Sequence, residues 1–268
     1  MSALATPLVT NQASVVGRLN PVAKLGAVLL ATIGLLLAGD VVTPTLVLLA
    51  ELVLVAAAGI GWRTLLARTW PLLVGLTGLF LSTLFFSQAG GGAVVLRLGD
   101  VEVTSGALLA AGAVSVRVLA IALPGIVVFA TTDPTELGDA LVQHLHAPPR
   151  FTFGALAAFR LLPLLGDEWH LLSLARRARG IDAGRSPVGA VRLFASAVFG
   201  LLVAAIRKAV RLATAMEARG FGQRPDRTLA RPSPIRAADW LFLAATAAVL
   251  VGANLVSIAL GTWSFLFW

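Results

Sequence analysis

Five stretches of apolar residues, set apart by turns and charges, organise this chain. The first, Val22 to Gly39, is entered through Arg18, Pro21 and Lys24. The turn Gly39-Asp40 separates it from a second, Val41 to Gly61, which one acid, Glu51, interrupts. Arg63 and Arg68 follow, and a third run extends from Trp70 to Phe86. A fourth, Ala107 to Ala130, carries a single internal charge, Arg117, and a closing section occupies Trp240 to Trp268. Helical runs of about 20 apolar residues match the hydrocarbon core of a bilayer. Between the third and fourth runs, Gly90-Gly91-Gly92 precedes AVVLRLGDVEVTS. The alternation on either side of Gly99-Asp100 predicts a small hairpin or ordered loop outside the bilayer.

The section before the closing run has another character. Val188 to Arg219 contains no proline and only Gly189 and Gly200, which predicts one helix of about 48 Å at 1.5 Å per residue. Between Arg192 and Arg207 its apolar part, LFASAVFGLLVAAI, counts 14 residues. That length is too short to span and suits a buried or interfacial helix. Phe151 to Arg179 predicts a second helical region, interrupted or kinked at Pro163. Two long helices under the membrane, packed on each other and on a partner, are the expectation. Gln223 to Arg236 reads as a linker back to the membrane whose arginines can touch anionic lipid.

Composition agrees with a membrane protein. Of 268 residues, 58% are hydrophobic and 13% charged, against about 25% charged in soluble domains, and the mean hydropathy is +0.90. The net charge of +8 could suggest nucleic acid, but its distribution fits the positive-inside bias. From Arg150 to Arg236 lie 15 of the 21 basic residues, against five acids. Arg18, Lys24, Arg63 and Arg68 place the N-terminus and the second loop in the cytoplasm. Asp40, Asp100 and Glu102 mark outside loops. Four crossings then return the chain to the cytoplasm for the basic section, and a fifth leaves the C-terminus outside. Trp240, Trp263 and Trp268 are candidate interfacial anchors. The predicted fold is an all-α integral membrane protein with about five transmembrane helices and a cytoplasmic domain. Its sections are residues 1–131, 132–236 and 237–268.

Several chemistries are excluded or disfavoured. Without cysteine there are no disulfides or thiolate metal sites. His144 and His146 would point about 200° apart on a helix, a poor metal pair, and no metal or other cofactor is expected on this chain. Asp167 and Glu168, adjacent in sequence, point about 100° apart and do not make an acid/base pair. Arg160 with Asp167 and Glu168 is instead expected as a local network, and Glu217 as support for Arg219 or another nearby cation. No Walker loop occurs, so ATP hydrolysis would fall to partners. The first 21 residues have no apolar core before their first charge and do not read as a cleavable signal. Glu51 and Arg117, charged inside predicted spans, are candidate functional residues. They could pair with each other, face a polar partner or snorkel.

The two long helices finish alike, with Ala178-Arg179-Gly180 in ARRARGID and Ala218-Arg219-Gly220 in AMEARGFG. An arginine in the last turn favours the negative helix end, and a following glycine supplies the left-handed stop. Two ordinary C-caps would look like this. Yet both copies close a helix of the basic section, and a guanidinium fixed at a helix tip suits a bidentate contact with a carboxylate on another protein.

These paired endings resemble those of the transmembrane T component of energy-coupling factor (ECF) transporters, a branch of ATP-driven ABC importers. The resemblance extends to RLNPVAKL (Arg18 to Leu25), which is similar to the family's Asp-Pro-x-x-Lys-Leu segment with Asn20 where Asp is common. TTDPTELGDAL (Thr131 to Leu141) is similar to its Thr-Thr-x-Pro-x-x-Leu stretch. FRLLPLLGDEWHLLSLARRARGID (Phe159 to Asp182) resembles its Arg-Phe-x-Pro pattern, with Leu161 at the Phe position.

The resemblance implies a non-catalytic coupling subunit in a bacterial cell membrane. Its partners would be two ABC-type ATPase subunits, alike or different, which use ATP and Mg, and a small membrane protein that captures a vitamin or transition-metal ion. Arg179 and Arg219 are the implied ATPase contacts, Ala178 and Ala218 leave room for close approach, and Gly180 and Gly220 end the helices. A membrane enzyme with a cytoplasmic site, or a stand-alone capture protein, are the alternatives. The first lacks any His/Asp/Glu cluster of suitable spacing, and the second leaves the doubled endings without a use.

Overall fold

The computed structural model describes residues 16–57, 59, 61–86, 93–98, 101–181, 186–221 and 231–263. The Gly90-Gly91-Gly92 run, the Gly99-Asp100 turn, Asp182, most of the Gln223–Arg236 linker and Trp268 lie outside the described residues. Eight helices and one hairpin follow in order among those described: α1 (Pro21–Leu37), α2 (Val42–Ala57), α3 (Trp62–Phe86), β1 (Val94–Leu98), β2 (Val101–Thr104), α4 (Ser105–Thr131), α5 (Pro134–His144), α6 (Pro149–Ala178), α7 (Pro187–Ala218) and α8 (Ala237–Ala259). The protein is all-α apart from that hairpin, as expected. The strands pair antiparallel, with Leu96 opposite Val103 and Leu98 opposite Val101 and an irregularity between Val94 and Leu96.

Helix limits depart from the apolar runs in instructive ways. α3 begins at Trp62, so Arg63 and Arg68 belong to its first turns rather than to a loop. α6 passes through Pro163 without interruption; only one intrahelical bond is forfeited at a proline, and the rest of a 30-residue helix carries it. α5 occupies part of the TTDPTELGDAL segment, for which no helix was expected. Helices long and apolar enough to cross a bilayer are found at Thr69–Phe86, Ser105–Thr131, Pro187–Ala218 and Ala237–Ala259, while Pro21–Leu37 and Val42–Ala56 are shorter apolar helices. The 14-residue limit set for α7 therefore does not hold by length and composition, because its apolar character runs on through the lone Arg192.

The described residues divide into two compact units. One comprises residues up to 133 together with 233 onward, and the other residues 134–232. In the first, α4 packs on α1, α2 and α3, and α8 packs on α1 and α2. Its core joins Leu35, Val47, Ala120, Leu250 and Ala253, with a second cluster of Val55, Leu65 and Leu123. The α1–α8 contact relies on small residues, as membrane helix pairs do when lipid supplies no hydrophobic contrast. A Cβ at Gly34 would come within 3.0 Å of Leu250, and one at Gly26 within 3.3 Å of Leu243.

A polar knot ties three of these helices near the α1–α2 turn. Asp40 is 5% exposed. Its Oδ2 accepts from the Thr43 backbone N–H (2.7 Å), the Thr43 hydroxyl (2.9 Å) and the Ser257 hydroxyl (2.7 Å). Arg117 on α4 donates to the Asp40 carbonyl oxygen at 3.0 Å. Burial pushes the Asp40 carboxyl up, but the bonds from Ser257 and Thr43 together outweigh it and hold it below its ordinary value. A lowered folded value means stability that is present above the unfolded value and lost as pH falls through the folded one. The purified protein in detergent is therefore expected to keep its unfolding temperature from neutral pH to about 5 and lose it below about pH 4. Asp40→Asn should begin lower and show a shallower acid decline, and an unchanged slope would place the acid sensitivity elsewhere.

Arg117 and Glu51, considered above as a possible pair, are not paired. Arg117 reaches the Asp40 end of the unit, whereas Glu51 stands 11 residues beyond Asp40, about 16 Å farther along at the helical rise. Glu51 instead lines a cavity of about 80 Å³ with Lys24, Ala27, Leu54, Leu123 and Phe242. Trp263, just past α8, donates its indole N–H to Asn254 at 3.1 Å, and Trp240 at the other end of α8 is exposed.

Candidate functional site

The unit of residues 134–232 is built around α6 and α7. Pro187 at the first helical position and the Ser186 side chain, accepting from the Gly189 N–H at 3.2 Å, start α7. The two helices hold each other through three contacts. Trp169 and Phe194 meet edge to face with centroids 5.5 Å apart. Arg176 donates to the Leu193 carbonyl (2.9 Å) and the Ser196 hydroxyl (3.1 Å). Lys208 and Glu168 form an ion pair at 2.6 Å. The network expected for Arg160, Asp167 and Glu168 is thus replaced: Glu168 turns to Lys208 on the neighbouring helix. Arg160 and Asp167 are exposed, without an ion pair among the described residues. A helix-by-helix reading could not find Lys208, because the partners lie 40 residues apart.

Both C-termini have the same architecture. In α6, the Gly180 N–H bonds the Arg177 carbonyl (3.0 Å) and the Ile181 N–H bonds the Arg176 carbonyl (3.0 Å). In α7, the Gly220 N–H bonds Glu217 (2.9 Å) and the Phe221 N–H bonds Met216 (3.0 Å). These are two Schellman motifs. Gly180 and Gly220 have φ of 68° and 76°, the left-handed region that a Cβ makes costly. Arg179 and Arg219 are the matching C-caps, with φ −89° in each and ψ of 6° and 9°. Both are exposed, and neither makes a side-chain hydrogen bond or ion pair among the described residues. Glu217 is exposed too and forms no ion pair with Arg219 among the described residues. Phe221, following the second motif, stacks edge to face on Phe153 at 6.0 Å.

The α6–α7 pair exposes a large share of its apolar side chains. On α6, Phe151, Leu162 and Leu171 are exposed; on α7, Val188, Phe199 and Val210 are. Ala197 is the one buried residue recorded on α7, and α6 has none. Exposed apolar surface of this extent marks a protein or membrane contact. Among the described residues no group of three or more His, Cys, Asp or Glu side chains is placed to hold a metal.

Comparison with known proteins identifies the family. The family profile described as "CbiQ: Cobalt transport protein" matches residues 12–229. The chain is 30% identical over 223 residues to the energy-coupling factor transporter transmembrane protein EcfT of Streptococcus equi subsp. equi, covering 80% of this chain and 82% of that protein. It is 32% identical over 198 residues to EcfT of Limosilactobacillus fermentum (71% and 72% covered). With EcfT of Bacillus subtilis it shares 28% over 216 residues (78% and 81%). A multi-pass membrane transporter component is thus the class that fold and similarity define. The chain belongs to the CbiQ/EcfT family, the transmembrane T components of ECF transporters.

Proposed function

We propose that residues 134–232 are the coupling unit of this transporter. They would receive the ATP-driven motion of two ATPase subunits at Arg179 and Arg219 and pass it to a small membrane subunit that captures the cargo. The observation that carries this reading is the pair of equivalent Schellman ends, each presenting an exposed arginine without a side-chain partner among the described residues. A fork of N–H donors held by a rigid helix end is preorganised for a carboxylate in a groove. Membership in a transporter family favours this over a membrane enzyme, and the doubled ends favour it over a stand-alone capture protein. The cargo class is a vitamin or a transition-metal ion such as cobalt, chosen by the capture subunit; ATP and Mg belong to the ATPases.

Topology supports the same reading. Arg179 stands eight residues before the start of α7 and Arg219 just after its end. An α7 that crossed the bilayer would put the two arginines on opposite faces, where they could not both meet cytoplasmic ATPases. It would also start α8, with Arg236 before it, on the outer side. We therefore place α6 and α7 at the cytoplasmic face, their apolar sides covered by the bilayer surface and the capture subunit. The loops with Asp40 and with the hairpin then lie outside, and so does the C-terminus. Coexpression with the neighbouring genes of its chromosome tests the reading. The tagged chain, extracted in detergent, should bring down two ATPase subunits and a small membrane protein, and recovery of the chain without ATPase would reject the assignment.

A further inference from the structure

The segment Arg18 to Leu25, singled out by its sequence, has no part in the arginine ends, yet two of its side chains are deeply engaged. Lys24 is 1% exposed. Its ammonium donates to the Gly17 carbonyl at 3.2 Å and to the Thr131 carbonyl at 3.1 Å. Thr131 ends α4, so a buried cation sits on a carbonyl left over at a helix C-terminus, where the helix dipole favours it. Asn20, 6% exposed, caps α1 by accepting from the Val22 N–H at 2.9 Å. Its amide nitrogen donates to the Ser233 hydroxyl (3.0 Å) and carbonyl (3.3 Å), with a longer contact to the Pro234 carbonyl (3.4 Å). Its backbone N–H donates to Asp239 Oδ1 at 2.7 Å, while Oδ2 of the same carboxylate takes the Arg236 N–H at 2.7 Å and closes the first turn of α8.

The partners far along the chain from Asn20 and Lys24 share one property. Among the described residues, the backbone passes between the two units at 133/134 and at 232/233. Thr131 lies on the membrane unit's side of the first passage, and Ser233, Pro234 and Asp239 on its side of the second. We propose that Asn20 and Lys24 form a clamp on these two connections, through which displacement of the 134–232 unit enters α1, α4 and α8. A backbone link that is not tied at its root absorbs displacement in its own torsions. One tied by a buried charge and several amide bonds passes it to the helices behind. The clamp also explains why asparagine serves at position 20 here: an aspartate could cap α1 but could not donate to two carbonyls. It would also place a second carboxylate beside Asp239.

This inference rests on the coupling reading, and its test separates the two. The complex with its ATPases, in nanodiscs, is compared by hydrogen exchange for the unmodified chain, Asn20→Ala, Lys24→Met and the double variant. At rest, exchange around residues 128–136 and 231–240 should rise about tenfold or more in the double variant, the weight of one hydrogen bond to a charged group. Trapping with Mg-ATP and vanadate should alter exchange in both units of the unmodified complex. In the double variant the change should stay within residues 134–221, with ATPase capture and hydrolysis retained. Undiminished transmission to α1, α4 and α8, or connections no looser at rest, would overturn the clamp. If the double variant does not accumulate, Asn20→Ala carries the same comparison, since it keeps the Asp239 bond to its backbone. Failure of the unmodified chain to bind ATPases would reject the coupling reading, and the resting exchange would still decide whether these side chains hold the connections.

Discussion

Replacing Arg179 and Arg219 together by alanine is expected to abolish uptake while leaving the chain inserted and folded. Neither side chain bonds within the chain among the described residues, and the glycines that end both helices remain, so the fold loses only a favourable cation near each helix end. Loss of one partner from a desolvated charge pair weakens binding by 2–5 kcal/mol, about 30-fold or more. Each single variant should therefore retain reduced ATPase capture, and the double variant essentially none. The readouts are the ATPase recovered with the tagged chain and the cargo accumulated by cells. Normal uptake by the double variant would remove both residues from the coupling role.

Arg117→Met is expected to be the most destabilising single change in the membrane unit. Arg117 is 7% exposed, bonded to the Asp40 carbonyl and attracted by the Asp40 carboxylate. Its removal forfeits a buried hydrogen bond from a charged donor, about 1.5–3 kcal/mol, and leaves the Asp40 carbonyl without that donor. At about 2–4 °C per kcal/mol for a chain of this size, the unfolding temperature in detergent should fall by roughly 3–12 °C. Adding Asp40→Asn should return part of the loss, since the stranded charge is then gone. A double variant as unstable as the sum of the two singles would show that the groups do not interact.

The elements most legible in the sequence are those specified by neighbours along the chain. Alternation around residues 94–104 gave the hairpin, and the glycine after each Ala-Arg gave two helix stops whose φ values agree. Apolar runs located α1, α2 and α4 to within a few residues, and the start of α8, which ends at Ala259, well before the closing run does. What was not legible depends on partners far apart. Asp40 meets Ser257 across 217 residues and Asn20 meets Asp239 across 219, and no periodicity encodes such pairs. Lys24 and Asn20 were visible as members of a motif, but their work was not, because a lysine before an apolar run reads equally well as a topology signal. α7 illustrates a different failure. Composition allows it to span, and the proposed placement along the cytoplasmic face rests instead on keeping both arginines, and the start of α8, on one side.

The exposed apolar flanks of α6 and α7 carry a consequence for supply within the cell. A chain made in excess of its companions has an apolar helix pair covered at best on its bilayer side, open to self-association and to proteases that survey unassembled subunits. Its steady-state amount should then follow the scarcest companion rather than its own synthesis. The number of transporters would be metered by assembly, and overproducing this chain alone would yield little more of it.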